Sequence, residues 1–147
     1  MAALAAAAAL IVGCGADAVR VEPPTPDQAT ATLCKGLKAA LPEHLDDADM
    51  RATTPASPLT AAWGDPAAVL RCGVPRPAGL SPTSDVIEVE GVEWVLVESA
   101  KGYTFTTVGR TANVELTVPA QVDRSEATAP LVDLAAAVTR VASEVPR

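Results

Sequence analysis

The stretch that decides the fold runs from Val86 to Pro119 and reads VIEVEGVEWVLVESAKGYTFTTVGRTANVELTVP. Apolar and polar residues alternate along several parts of it, for example around Val92, Trp94 and Leu96, and short segments that contain glycine separate these parts. A period of two residues is typical of β-strands, whose successive side chains point to opposite faces of a sheet. The stretch therefore predicts an antiparallel meander with one buried face and one more hydrated face.

Amphipathic helices are predicted on both sides of this meander. The first begins at Thr25-Pro26, where threonine can cap the helix and proline suits its first turn. It ends near Leu41, because Pro42 disfavours helical geometry in the residue before it. The second helix covers about residues 128 to 145, and its apolar side chains lie along one stripe.

With a further strand over residues 67–74, these elements predict the fold class. Two amphipathic helices and one half-buried sheet favour an α+β domain of two layers. We expect an antiparallel sheet of four to five strands with two helices packed on one face. This single domain is expected to occupy residues 27–147, and residues 42–62 within it are expected to form a loop, because prolines and an acidic cluster interrupt them.

The chain begins with an uninterrupted apolar run, residues 2–12. The run is too short for a membrane-spanning helix, which needs about 20 apolar residues, and it has the length of the apolar region of a signal peptide. The tetrapeptide that follows, Ile11-Val12-Gly13-Cys14, resembles the lipobox of bacterial lipoproteins. The resemblance implies a signal peptide over residues 1–13, diacylglycerol on the sulfur of Cys14, and a second acyl chain such as palmitate on its amine. No Lys or Arg precedes the apolar run, and a buried Ala-rich helix that contains a cysteine is the alternative.

Residues 14–26 are predicted to be a lipidated N-terminus followed by a proline-rich tether. Pro23, Pro24 and Pro26 favour an extended, semi-rigid chain. Residues 15–26, the twelve that follow Cys14, would reach at most about 35 Å at about 3.1 Å per residue. An ordinary disordered tail predicts the same local conformation.

The charge of the chain restricts its partners. It carries 18 acidic and 11 basic residues, a net charge of −7. An acidic chain with scattered Lys and Arg argues against nucleic acid and against electrostatic docking on anionic lipid. We therefore expect membrane contact to occur through the lipid on Cys14, which places the domain at the outer face of the cytoplasmic membrane.

Two further cysteines, Cys34 and Cys72, lie in the predicted domain. In an exported protein, paired thiols become disulfides. The closed loop would stabilise the fold by about 4 kcal/mol on the chain-entropy model. Two unpaired buried thiols are the alternative, whereas a metal site is disfavoured because neither a histidine nor a CxxC partner stands near them.

Catalytic signals are weak throughout the chain, and no catalytic residue, metal ligand or cofactor is predicted. The single histidine, His44, stands in an acidic segment with no GxSxG motif elsewhere to supply a nucleophile, so we expect it to be solvated. The run Asp46-Asp47-Ala48-Asp49 lacks the spacing of a calcium loop. Ser99 and Lys101 lie at a predicted turn, where the lysine amine is expected to be solvated.

Trp63, Arg71 and Arg110 are the candidate ligand-binding residues. Trp63 is a large aromatic residue in a predicted turn, Arg71 points away from the apolar side of its strand, and Arg110 lies in a predicted hairpin turn. Arginine is suited to holding carboxylates or phosphates with two parallel hydrogen bonds. The alternative is local ion pairing for the arginines and a place at the edge of the core for Trp63.

A family resemblance covers nearly the whole predicted domain. Residues 61–66 read AAWGDP and residues 69–75 read VLRCGVP; GVEW at 91–94 and TTVGR at 106–110 follow. Together they resemble an uncharacterised family of small actinobacterial exported proteins, the group called domain of unknown function 3515. The resemblance implies an envelope or secreted protein and supports the pairing of Cys34 with Cys72. It implies no activity, and it assigns no role to the three candidate binding residues.

These observations lead to a functional expectation. The anchor and the lack of a catalytic constellation favour a non-enzymatic envelope lipoprotein that binds a partner, such as a membrane protein or a wall-associated ligand. The alternative is an enzyme or accessory factor of cell-envelope metabolism with a site near Arg71 and Arg110. A third hypothesis is a structural factor of the envelope with no discrete ligand site.

Overall fold

A computed structural model describes residues 17–78, 80–81 and 84–145 of the chain. The predicted signal peptide and Cys14 lie outside the described residues. In the described part, no helix is both long and apolar enough to span a membrane.

The described residues form ten strands and two helices. The strands are β1 (Val19–Arg20), β2 (His44–Leu45), β3 (Ala48–Arg51), β4 (Thr53–Thr54), β5 (Thr60–Trp63), β6 (Ala68–Cys72), β7 (Val86–Val89), β8 (Val92–Ser99), β9 (Gly102–Thr107) and β10 (Val114–Pro119). The helices are α1 (Gln28–Ala40) and α2 (Ala129–Val141).

Eight of these strands form one antiparallel sheet in the order β2-β3-β5-β6-β10-β9-β8-β7, while β1 and β4 form a separate parallel pair. The meander predicted from residues 86–119 is present as β7 to β10. Its register places Trp94 opposite Thr107 and Leu116 opposite Phe105. Val114 and Leu116 are fully buried and alternate with the half-buried Glu115, as the sequence pattern requires.

The predicted sheet of four to five strands is wrong, because the sheet has eight. The additional strands at one edge come from residues 42–62, which the sequence assigned to a loop. Two of them, β2 and β3, have two and four residues, too few to show a period. All four residues of β5 are buried, so that no alternation marks this strand.

The predicted arrangement of two layers, with two helices packed on one face of a small sheet, is also wrong. Helix α2 contacts β2 at one edge of the sheet and β7 and β8 at the other edge, and it also contacts α1. One helix can reach both edges only because the large sheet curves around it. At the β2 edge, the backbone N–H of Asp46 donates to Oδ2 of Asp133 in α2 at 2.8 Å.

The core lies between the curved sheet and the helices. Its largest fully buried side chains are Trp63, Trp94 and Phe105. They pack with leucines, valines and alanines of the strands and of α2, for example Leu131 and Leu134. Burial of this apolar surface, at about 25 cal/mol per Å², is the main stabilising contribution to the fold.

The N-terminal segment, residues 17–27, packs along the domain. The N–H of Val19 donates to the carbonyl oxygen of Ala52 at 2.9 Å, and the N–H of Val21 donates to that of Thr54 at 3.0 Å. Val21 is buried, with 4% of its surface exposed. Residues 17–26, which the sequence assigned to the tether, are thus extended but held against the protein.

Both helices begin or end at positions that differ from the sequence prediction. Helix α1 is capped by Asp27, whose Oδ1 accepts from the N–H of Thr30 at 2.8 Å. Thr25, the predicted cap, stands two residues before Asp27. Helix α2 ends at Val141, because the chain beyond it turns to pair with the loop after β9: the N–H of Val145 donates to the carbonyl oxygen of Gly109 at 2.8 Å.

Candidate functional site

Trp63 lies in the core and not in an exposed turn. Its side chain belongs to β5 and is 1% exposed. The indole Nε1 donates to the carbonyl oxygen of Pro42 at 3.1 Å. This bond ties the chain after α1 to the sheet, and it gives Trp63 a structural position inside the protein.

Arg71 lies on the sheet face opposite to the core and connects three parts of the chain. Its Nε donates to the carbonyl oxygen of Glu22 at 3.0 Å. Its Nη1 lies 3.2 Å from Oε1 of Glu115, the residue opposite it on β10. The guanidinium therefore holds the N-terminal segment against the sheet, next to a cross-strand ion pair.

Arg110 is a nearly buried cation, and 4% of its side chain is exposed. Its Nη2 donates to the carbonyl oxygen of Gly91 at 2.7 Å, and its Nη1 to that of Ala142 at 3.3 Å. Oε1 of Glu144 lies 3.5 Å from Nη2. Arg110 thereby joins the β7–β8 turn to the chain that follows α2.

Of the three candidate binding residues, Arg110 lines one of two large clefts in the described part of the chain, whereas Trp63 and Arg71 line neither. Arg110 lines a cleft of about 580 Å³. Three of the other lining residues are acidic, namely Glu88, Glu93 and Glu144. Glu88 and Glu93 are cross-strand neighbours on β7 and β8, so the cleft presents carboxylates around a guanidinium that is already bound to backbone oxygens.

A second cleft, of about 650 Å³, opens between α1, β3 and the segment that connects β4 to β5. We call it the Lys38 cleft. Its lining includes Lys38 and the apolar side chains of Met50, Ala52 and Ala56. Clefts of several hundred Å³ with an apolar lining and a few polar groups are the usual form of a small-molecule site.

The amine of Lys38 is the distinctive group of this cleft. Its Nζ donates to the carbonyl oxygen of Thr60 at 2.8 Å, and no carboxylate pairs with it among the described residues. Desolvation by burial lowers the pKa of this amine below its ordinary value of 10.5. An ammonium has three donors, so this one has hydrogen-bonding capacity left for an anionic group in the cleft.

The acidic groups of the Lys38 cleft lie at its exposed rim. Glu43 is exposed, and the side chain of Asp49 is 85% exposed. Nδ1 of His44 lies 2.9 Å from Oδ1 of Asp49, and the histidine side chain is 66% exposed, so His44 is solvated as the sequence indicated. The sequence did not point to Lys38, because nothing distinguishes it from the exposed Lys35 one turn earlier on the same helix.

The other motifs form no reaction centre in the described part of the chain. There, no three His, Cys, Asp or Glu side chains come together in a way that could hold a metal ion. Lys101 is exposed at the β8–β9 turn, where its backbone N–H donates to Oγ of Ser99 at 3.2 Å. The described residues therefore provide no set of metal ligands, and the amine of Lys101 is not buried beside Ser99.

Comparison with known proteins identifies the family. A family model described as "Protein of unknown function (DUF3515)" matches residues 1–146. The chain belongs to this family. The resemblance carried by the AWGDP and LRCGV motifs is therefore confirmed. No curated protein matches the chain, and no solved structure matches it.

In this DUF3515 chain, the LRCGV motif contains one of the two cysteines of a disulfide bond. Cys34 on α1 and Cys72 on β6 are joined with a Cα–Cα distance of 5.5 Å. They are 1% and 2% exposed, so the bond is enclosed in the core. It links the first helix to the centre of the sheet across 38 positions of sequence.

Proposed function

We propose that this DUF3515 protein is an exported, lipid-anchored envelope protein that acts as a non-enzymatic binding module. The observation that carries the proposal is the enclosed disulfide bond between Cys34 and Cys72. Disulfides persist in extracytoplasmic compartments and are rare where cellular reductants keep thiols reduced. The apolar run and the Gly13-Cys14 junction supply the signal and the attachment point for such a protein.

The contacts of the arginines support a binding role over the enzymatic alternative. Arg71 and Arg110 hold backbone oxygens and glutamates of the protein itself. A catalytic arginine has to direct donors at a reacting group. We therefore place the binding site at the Lys38 cleft, where a half-buried ammonium lies beside the apolar side chains of Met50, Ala52 and Ala56.

Mass spectrometry of the mature N-terminus tests the export and anchoring parts of the proposal. We expect the first residue to be Cys14, with a mass increase of diacylglycerol and an acyl chain. A Cys14→Ala variant should leave the membrane fraction, because a thioether-linked lipid cannot form. An unmodified Cys14 in a membrane-bound protein would contradict the anchor, and two thiols that react at positions 34 and 72 in the exported protein would contradict the oxidising location.

Capture from detergent-solubilised envelope tests the binding part. Wild type, Lys38→Gln and Lys35→Gln are compared as baits at increasing concentrations. We expect saturable recovery of a partner or ligand by wild type and by Lys35→Gln, and a clear loss with Lys38→Gln. Equal recovery by all three baits would remove the Lys38 cleft as the site, and no saturable recovery by wild type would remove the binding module.

A further inference from the structure

The N-terminal segment begins to contact the domain very close to the proposed lipid. The carbonyl oxygen of Asp17 accepts a hydrogen bond from Nη2 of Arg51, and Val19 is already bonded to Ala52. Three peptide units separate Asp17 from Cys14. A fully extended chain spans at most about 3.6 Å per residue, so Asp17 lies within about 11 Å of Cys14 in any conformation of these units.

This distance is comparable to the thickness of the headgroup layer of a membrane. The hydrocarbon core of a bilayer is about 30 Å thick and the whole bilayer about 40–45 Å, which leaves about 5–8 Å for the headgroups on each side. A lipid on Cys14 holds that residue at the boundary of the hydrocarbon region. The free reach of about 35 Å predicted for a tether of residues 15–26 is therefore reduced to a length that barely exceeds the headgroup layer.

Several contacts hold the segment in this position. Arg51 binds Asp17 on one side and donates from Nη1 to the carbonyl oxygen of Gly64 at 2.9 Å on the other. Arg71 binds the carbonyl oxygen of Glu22. The backbone of β1 pairs with β4 over Val19–Arg20. Release of the segment would break its contacts with Arg51, Arg71 and β4 together, so the short anchor length is a property of the folded domain.

The surface beside this anchor point suits a negatively charged bilayer. We call it the exit surface and define it as residues 17–20 together with residues 52–56, which lie alongside them. Within this surface, residues 52–56 carry no charge and the opposite charges of Asp17 and Arg20 cancel, although the chain as a whole carries −7. Ala52, Thr54, Pro55 and Ala56 are exposed. This neutral surface can approach anionic headgroups without the repulsion that the rest of the domain would meet.

We propose that the exit surface faces the membrane and that the lipid on Cys14 holds the domain directly against the bilayer. The inference rests on the proposed function for the presence of that lipid. It narrows the partner to molecules at the membrane surface, because the domain has no spacer with which to reach the wall layer. The Lys38 cleft shares Ala52 and Ala56 with the exit surface and therefore opens close to the headgroups.

The test attaches the protein to a bilayer by chemistry, so that it is independent of lipidation in the cell. The processed chain, residues 14–147, is labelled with ¹⁵N and coupled to a maleimide lipid in phosphatidylcholine nanodiscs. Cys14 is the coupling site, because the chain has three cysteines and the other two form the disulfide. A gadolinium-chelate lipid in the same nanodisc broadens amide signals steeply with proximity.

We expect the amides of Val19, Ala52 and Thr53 to be broadened several times more than that of Gly91. Gly91 follows β7 and precedes β8, and β8 is four strand spacings from β5, about 19 Å along the sheet at about 4.8 Å per spacing. A matched control inserts about twelve Gly-Ser residues between Ala16 and Asp17, which restores a flexible reach of about 20 Å. In this control, the amides of Val19, Ala52 and Thr53 should be broadened to nearly the same extent as that of Gly91.

Uniform broadening in the coupled wild type, or broadening that is unchanged by the insertion, would overturn the inference. Broadening greatest at Gly91 would assign the membrane contact to the opposite part of the sheet and would overturn it equally. An unlipidated Cys14 in the mass spectrum of the native protein would instead count against the proposed function. The two failures are therefore distinguishable.

Discussion

The two tryptophans are buried to nearly the same extent but differ in one hydrogen bond. Trp63 donates from Nε1 to the carbonyl oxygen of Pro42, whereas Nε1 of Trp94 has no acceptor among the described residues. Replacement by phenylalanine removes a similar volume at both positions. We predict that Trp63→Phe lowers the free energy of unfolding by about 1 kcal/mol more than Trp94→Phe does, because the half-buried Pro42 loses the donor to its carbonyl oxygen. Urea unfolding measures the difference, and equal losses would contradict it.

Asp27 makes the cap of α1 depend on pH. The backbone hydrogen bond from Thr30 lowers the pKa of its carboxyl below the ordinary value of 3.8. The stabilising contribution of this carboxylate is therefore present above pH 3.8 and is lost as the pH falls through the lowered pKa of the folded state.

We predict that Asp27→Ala lowers the melting temperature at neutral pH, because the cap of α1 is lost. The gap to wild type should narrow as the pH falls from 3.8 through the lowered pKa of the folded state, where the carboxyl of the folded wild type becomes protonated. Asp27→Asn is the control, since asparagine caps helices about as well but does not titrate. The measurement is thermal melting of the three proteins across this pH range. A difference in melting temperature between wild type and Asp27→Ala that stays constant down to complete protonation would contradict the role of the carboxylate.

At the scale of secondary-structure elements, Arg110 connects the end of α2 to the sheet. Its side chain binds backbone oxygens at Gly91 and Ala142, and the backbone around it pairs with Glu144. The sequence indicated a binding residue here because arginine in a turn is typical of an exposed cation. The burial of Arg110 depends on where α2 ends, and the local sequence around residue 110 contains no information on that.

We predict that Arg110→Ala lowers the free energy of unfolding by about 2–3 kcal/mol, because the carbonyl oxygens of Gly91 and Ala142 both lose a charged donor and the bond to Ala142 is buried. Arg110→Lys should restore little of this loss, since a single ammonium cannot reach two separated acceptors as the planar guanidinium does. The exposed Arg124, which pairs with Glu98, is the control, and its replacement by alanine should cost less than about 1 kcal/mol. Urea unfolding is the measurement, and similar losses for both alanine variants would contradict the structural role.

The elements themselves were partly predictable. The alternation in residues 86–119 and the two amphipathic stripes appear in the structure as β7 to β10, α1 and α2. The strands of residues 42–62 could not be predicted from the sequence, because β2 and β3 are short and β5 is buried along its whole length. Such strands form through pairing with neighbours, and local periodicity does not record that pairing.

At the scale of the whole molecule, the close approach of the N-terminal segment to the domain depends on Gly73. This glycine has a φ of +89°, and a Cβ atom there would lie 2.6 Å from Cγ of Pro26. Gly91 has a similar φ of +76°, but a Cβ atom there would meet nothing within 4 Å. A substitution by alanine would therefore strain the backbone at both positions, but only at Gly73 would the new Cβ atom also clash with Pro26 of the N-terminal segment.

We predict that Gly73→Ala loosens the N-terminal segment and that Gly91→Ala does not. Both variants should lose about 1–2 kcal/mol from the left-handed conformation. Gly73→Ala should also speed trypsin cleavage after Arg20, because β1 separates from β4. Cleavage rates followed by mass spectrometry provide the comparison, and equal rates at Arg20 in the two variants would show that the segment does not depend on this contact.

The sequence by itself determined the features that depend on nearby residues. The meander and the helical stripes follow from local periodicity, and the two domain cysteines allow one internal pairing. The apolar run ahead of Cys14 predicts export, and the AWGDP and LRCGV motifs indicate the family.

Only the tertiary structure decided which distant parts of the chain meet. In the folded protein, an eight-stranded sheet curves around α2, and Arg110 is enclosed. Residues 17–26 pack along the domain, and Lys38 lies in a cleft. The physical reason is that these outcomes depend on contacts such as Val19 with Thr53, Lys38 with Thr60, and Arg110 with Glu144. A local pattern specifies which face of an element is apolar, whereas the partner of that face depends on the packing of the whole chain.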